Sequence, residues 1–167
     1  MVFVALRLLR CVFVSKNEIL GLIMSLVAQK TPKETFLELM KNSFSYLVDV
    51  RSRAEWNFVG FVDHADLTEK LIFCEWRTYP KMEVNKNFFQ QVSSKIDLQI
   101  ANSLFFICRS GVRSFEAAEA CKLKLSAIGS STECFNVLEG FEGDLEQTSK
   151  RRNVNGWKVA GLPWSQV

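Results

Sequence analysis

At 167 residues, 48% hydrophobic and 23% charged, the chain has the size and composition of one ordinary globular domain with a real core. A net charge of +3, with basic residues scattered except at Lys150, Arg151 and Arg152, argues against a nucleic-acid-binding face, and that short cluster reads as solvated surface. Five cysteines without CxxC spacing and a single histidine, His64, support neither a disulfide framework nor a zinc site, and fit reduced thiols in a cytoplasm.

The chain opens MVFVALRLLRCVFVSKNEILGLI, where Arg7 and Arg10 interrupt the apolar stretch before it reaches the ~20 residues that span a bilayer. A secretory signal fits no better, because the basic residues sit inside the apolar run and no small-residue cleavage site follows. Residues 1–23, Cys11 among them, read as an apolar extension, mis-started or peripheral, ahead of a single domain over residues 24–167.

Thr31, Pro32 and Glu34 supply an N-cap, a first-turn proline and a capping-box acid, which predicts a helix to about Met40. Apolar, strand-like runs follow at 45–50, 71–76, 103–108 and 133–138. Helical patterns fill two of the gaps: Asn85 to Ile96, and Val112 to Leu125, where Val112, Ala117, Ala120, Cys121 and Leu125 form the expected buried face before Gly129. Cys74, Cys121 and Cys134 read as small core residues. Strands alternating with helices imply an α/β domain, a mainly parallel sheet with helices on both faces, whose functional site lies beyond the carboxyl ends of its strands.

One strand end carries chemistry. LFFICRSGVRS, residues 104–114, delivers Cys108 to a short turn that opens a helix. Unpaired backbone N–H groups, the positive end of the helix dipole and the charges of Arg109 and Arg113 all favour thiolate over thiol there. Gly111 permits the positive φ or close approach such a turn needs. The six residues from Cys108 to Arg113 can wrap their backbone amides around one anion, a cradle suited to a thiolate nucleophile.

Three segments in order, LVDVRSRAEW, FFICRSGVRS and NVLEGFEGD, resemble a single rhodanese domain, the sulfurtransferase family, across roughly residues 32–166. The closing NGW and GLPW segments resemble those of small bacterial single-domain members. The resemblance implies a rhodanese-like fold and a Cys108 nucleophile that takes sulfane sulfur from a small anionic donor such as thiosulfate. A thiol, a protein thiol among them, or cyanide then accepts it, with no metal and no organic cofactor. Arg109, Ser110, Gly111, Val112 and Arg113 become the donor-binding loop. Asp49 and Arg51, in the DVR motif, brace the site region, and Glu55 reads equally as a partner for a loop arginine or as an ordinary surface acid. No nucleic acid and no firm membrane association are implied.

The loop separates this chemistry from phosphate-ester hydrolysis. Cysteine phosphatases space their cysteine and arginine by five residues; here position 114 is serine and Arg113 comes one residue early, like the shorter sulfurtransferase bowl. Phosphatase and arsenate-reductase activities are the remoter alternatives, and a carrier or protein-binding module without turnover is the nearer one. Phe141 and Glu142 read as pocket rim or as a glycine-rich turn with one core phenylalanine. Residues 60–67, GFVDHADL, depart from the family's small-residue GHIPGA-like turn. His64 within them reads as a loop residue rather than a base, and Trp157 and Trp164 read as packing residues.

Overall fold

The computed structural model describes residues 27–166, so the reading of residues 1–23 lies outside the described residues. The domain is built on a five-stranded sheet in which every pairing is parallel. Its strands are β1 (Ala28–Lys30), β2 (Ser45–Asp49), β4 (Leu71–Phe73), β7 (Ser103–Ile107) and β8 (Glu133–Val137), in the order β1-β8-β7-β2-β4. Two small antiparallel pairs form separate sheets: β3 (Phe61–Val62) with β9 (Trp164–Ser165), and β5 (Arg77–Thr78) with β6 (Glu83–Val84). The helices are α1 (Pro32–Lys41), α2 (Arg53–Val59), α3 (Phe88–Ser93), α4 (Val112–Ala127) and α5 (Gly156–Val159), with a 3₁₀ turn at Ala65–Lys70.

Alternation along β7 sends Leu104 and Phe106 to one face and Phe105 and Ile107 to the other, which makes it the centre of two cores. On the first face, Ala117, Ala118, Cys121 and Leu125 of α4 pack with Phe88 and Val92 of α3. On the second, Leu39 of α1 packs with Leu47, Val137, Phe141 and Trp157. Helices therefore cover both faces, as the sequence implied. The capping box that starts α1 is formed as read: Thr31 Oγ1 accepts from the Glu34 N–H at 3.3 Å, and Glu34 accepts from the Thr31 N–H at 2.8 Å.

Three expectations need correction. The run at 71–76 pairs as a strand only through Phe73; beyond it the Cys74 and Trp76 amides donate to Asp49 and Val50, and the chain turns over the end of β2. The helix expected from Asn85 begins at Phe88, because the Asn85 side chain accepts from the Asn87 N–H and donates to Glu75 and Gln91, which builds a turn first. Val112 is 67% exposed, since the first turn of α4 stands clear of the sheet before Ala117 and Ala118 reach it. Cys74, Cys121 and Cys134 are buried, as expected. Among the described residues no helix is long and apolar enough to cross a membrane.

Candidate active site

β7 is buried along its whole length and releases the chain at Cys108. Gly111 then takes φ +96° as the N-cap of α4, a left-handed conformation that turns its N–H back to Cys108 Sγ at 3.1 Å. Ser114, on the first turn of α4, brings its Oγ to 3.2 Å from the same sulfur. A backbone amide and a hydroxyl thus converge on Sγ at the start of a long helix, where the partial positive charge of its free N–H groups also acts.

The loop is held from behind by the glycine-rich turn after β8. The amides of Phe141, Glu142 and Gly143 donate to the carbonyls of Cys108 and Arg109 at 2.8, 3.0 and 3.2 Å. Carbonyls of the loop are therefore drawn away from the sulfur. Gly140 makes this approach: at φ +64°, a Cβ on it would lie 2.4 Å from the Cys108 carbonyl oxygen. The NGW segment clamps the same turn, with Trp157 donating to the Gly140 carbonyl at 2.9 Å and Lys158 to that of Phe141 at 3.1 Å. Arg152, read as solvated surface, instead donates from Nη1 to the Gly143 carbonyl.

At the neighbouring strand end, Arg51 is fully buried and Asp49 nearly so. The guanidinium donates to the Asp49 carboxylate, at 2.6 Å in the shortest contact, and to the Gly60 carbonyl at 2.9 Å. It also stacks on Phe141, 4.0 Å from the ring centroid, and so joins the DVR segment to the turn behind the loop. Phe141 is a core residue, while Glu142 touches the loop through its backbone.

Glu55 has two tasks. Its carboxylate completes a capping box with Ser52 at the start of α2, and it accepts from Arg113 Nη1 at 2.9 Å and Nη2 at 2.6 Å. Burial pushes the Glu55 carboxyl up, but the hydrogen bonds and charge of Arg113 together with those from Ser52 outweigh it and hold the pKa at about 2. The same hydrogen bonds raise Arg113 above its ordinary value against its own desolvation. One of the two loop cations is thus already paired. Among the described residues Arg109 takes part in no ion pair, and it is exposed.

Arg109 and Arg113 border a cleft of about 430 Å³ whose other walls include Ala54, Phe58, Tyr79 and Met82. The sulfur lies deeper than an open bowl implies: Cys108 is 1% exposed, beneath the loop rather than in the cleft wall. Ser110, Gly111 and Val112 face a second cavity on the β8 side. His64 is outside both; its Nδ1 accepts from the Asp66 N–H at 3.3 Å and its ring lies edge-on to Phe36. Trp157 is buried in the core, and Trp164 sits under the Lys158 ammonium. Among the described residues no group of three or more His, Cys, Asp or Glu side chains is placed to hold a metal ion.

Ser114 and Asn136 are the site residues that sequence reasoning missed. Ser114 Oγ is 2.7 Å from Asn136 Oδ1, and both residues are buried. A polar residue at the first turn of α4 and another inside the apolar run of β8 were the available signals, since buried polar groups need partners.

No family model matches the chain. It is 38% identical over 126 residues to an uncharacterized protein, RC0915, of Rickettsia conorii, in a match covering 75% of this chain and 87% of that protein. Rv0390 from M. tuberculosis, a solved structure, is 35% identical with a TM-score of 0.71, over 84% of this chain and 98% of that one. The polysulfide-sulfur transferase homodimer from Wolinella succinogenes is 17% identical with a TM-score of 0.53, over 90% and 87% respectively. At that identity the likeness is one of fold, and it agrees with the rhodanese-like α/β architecture read from the sequence.

Proposed function

The chain belongs to the family of RC0915 and Rv0390, and we propose that it is a sulfurtransferase in which Cys108 carries sulfane sulfur from a donor to a thiophilic acceptor. The observation that carries this reading is the Cys108 sulfur at the end of the central parallel strand, receiving the Gly111 N–H at 3.1 Å with the Ser114 hydroxyl oxygen 3.2 Å away. Donors fixed on a sulfur stabilise it as an anion, whether as thiolate or as persulfide.

With thiosulfate, the Cys108 thiolate attacks the outer sulfur, a new S–S bond forms, and the bond to the sulfonate sulfur breaks so that sulfite leaves with the electron pair. The persulfide then carries one negative charge on its terminal sulfur. In the second half an acceptor thiolate or cyanide attacks that sulfur, and Cys108 leaves as thiolate. Arg109 meets the incoming anion, while Arg113, fixed by Glu55, keeps its charge at the loop. Polysulfide, named for the W. succinogenes protein, is a second donor class for the same first step.

With Cys108 1% exposed, donors ending in a single sulfur atom fit this reading best. Transfer onward to a protein thiol is the second reading, favoured by Phe58 and Tyr79, 79% and 69% exposed beside the cleft. The direct test is peptide mass after incubation with thiosulfate or polysulfide. One sulfur, about 32 Da, is expected on the Cys108 peptide and none in a Cys108→Ser protein. Hydrolysis of a phosphate ester with no sulfur gained from any donor would overturn the reading.

A further inference from the structure

The Cys108 sulfur has a polar connection to the outer edge of the sheet that the transfer steps leave unused. Ser114 Oγ stands 3.2 Å from Cys108 Sγ and 2.7 Å from Asn136 Oδ1. Asn136 Nδ2 in turn lies 3.4 Å from Oε1 of Gln29, its partner in the parallel register of β1 and β8. Ser114 and Asn136 are buried, whereas Gln29 is exposed and borders, with Asn136 and Gly111, a cavity of about 390 Å³ on the far side of the loop from the cleft. The side chains form one line from sulfur to solvent.

A serine hydroxyl has one proton, and here two acceptors compete for it. When Cys108 is a thiol, its S–H donates to Ser114 Oγ, Ser114 donates to Asn136 Oδ1, and the Asn136 amide donates to Gln29. When the sulfur is a thiolate or persulfide it can only accept, so the Ser114 proton turns toward it. Ser114 Oγ then needs a donor, which rotation of the Asn136 amide supplies, and a matching rotation of Gln29 turns its NH₂ to Asn136 Oδ1. The oxygen and nitrogen ends of an amide have nearly the same shape, so both directions fit one heavy-atom arrangement.

We infer that Gln29, Asn136 and Ser114 are a hydrogen-bond chain whose direction reverses with the charge on Cys108, delivering a donor to the sulfur when it is anionic. The inference rests on the reading of Cys108 as the sulfur-carrying nucleophile. Ser114 touches the reacting atom; Asn136 and Gln29 act through it and are positioning residues. Other charged groups around the loop set a through-space field. They are Arg109, Arg113 on α4, Glu55 on α2, Asp49 and Arg51 at the end of β2, and Glu116 and Glu139 at the second cavity.

The test is the rate of iodoacetamide modification of Cys108 in the full chain, followed by peptide mass across a pH series. Ser114→Ala is expected to slow modification about ten-fold at neutral pH, as the loss of one hydrogen bond to a charged acceptor implies. Ser114→Thr restores the parent profile. Gln29→Glu, which can only accept, pins Asn136 in the thiol direction and slows modification several-fold, while Gln29→Lys, which can only donate, speeds it.

In a Ser114→Ala background neither Gln29 substitution changes the profile, because the link to sulfur is cut. Equal effects in both backgrounds would mean through-space charge and overturn the chain, as would no effect of either Gln29 change in the parent. Persistence of the coupling in a protein that gains no sulfur from any donor would leave the chain standing and remove the transferase reading. Sulfur loading without the coupling would do the reverse.

Discussion

Arg113 and Glu55 lie 58 residues apart in sequence and meet as a bidentate ion pair beside the Cys108 loop, with contacts of 2.9 and 2.6 Å. The pair couples the start of α4 to the cap of α2, because the same carboxylate accepts from the Ser52 amide. Cleft wall and Cys108 loop are thereby fixed to one another.

Glu55→Gln removes the charge and weakens both attachments. A loss of about 1–3 kcal/mol in urea unfolding at pH 7 is expected. The pH dependence has a definite sign. The folded carboxyl titrates at about 2, below its ordinary 4.5, so its contribution is complete above about pH 4.5 and is lost as pH falls through 2. The parent should lose stability across that window, and Glu55→Gln should lose less; parallel acid limbs would contradict the pairing.

Asp49→Ala leaves the Arg51 guanidinium buried without its carboxylate, under Phe141 and behind the loop. Breaking a buried pair by removing one partner costs about 3–5 kcal/mol. The denaturation midpoint should fall accordingly, while the protein that remains folded still gains sulfur on Cys108. Unchanged stability and activity would refute a bracing role.

Gly140→Ala tests the contact between the turn after β8 and the loop. A methyl group there would collide with the Cys108 carbonyl, the Arg109 carbon and the Ser110 nitrogen, all backbone atoms within 2.7 Å of its position. Neither side yields cheaply, so a loss above about 2 kcal/mol is expected, with slower modification of Cys108 in the folded protein. Parent-like unfolding would show that the turn does not bear on the loop.

These contacts mark the limit of what sequence patterns carry. The Thr31-Pro32-Glu34 cap, the apolar run SLFFI and the Cys108 turn are local signals, each written within a few residues, and each appears in the structure. β1 was missed because Ala28–Lys30 has no strand-like run of its own; it exists through its pairing with β8. Val112 lay on the apolar stripe of α4, yet the helix begins beyond the edge of the sheet, and periodicity does not say where a helix meets its partner. Ser114 with Asn136 and Gly140 with Cys108 are encounters across the fold, set by how α4 and the turn after β8 converge on one strand end, while Glu55 with Arg113 is a pairing that the family resemblance offered and no local pattern did.

Among the described residues Arg109 is the loop cation in no ion pair, and on the proposed reading it meets the donor. Arg109→Ala should raise KM for thiosulfate about ten-fold with kcat little changed, and should remove most of the dependence of kcat/KM on salt, since an exposed charge meeting an anion is screened. Arg109→Lys retains the salt dependence in part. A fall in kcat at constant KM would place Arg109 in the chemistry instead.

The central claim is that Cys108 accepts a sulfur and passes it on. Thiosulfate labelled only in its outer sulfur is added to the protein, excess donor is removed, and cyanide or a small thiol is then supplied. The expected result is one equivalent of label held on the Cys108 peptide, discharged in full to the acceptor, with the parent mass regained. Label that never binds, or that binds and is not released to any acceptor, would contradict it.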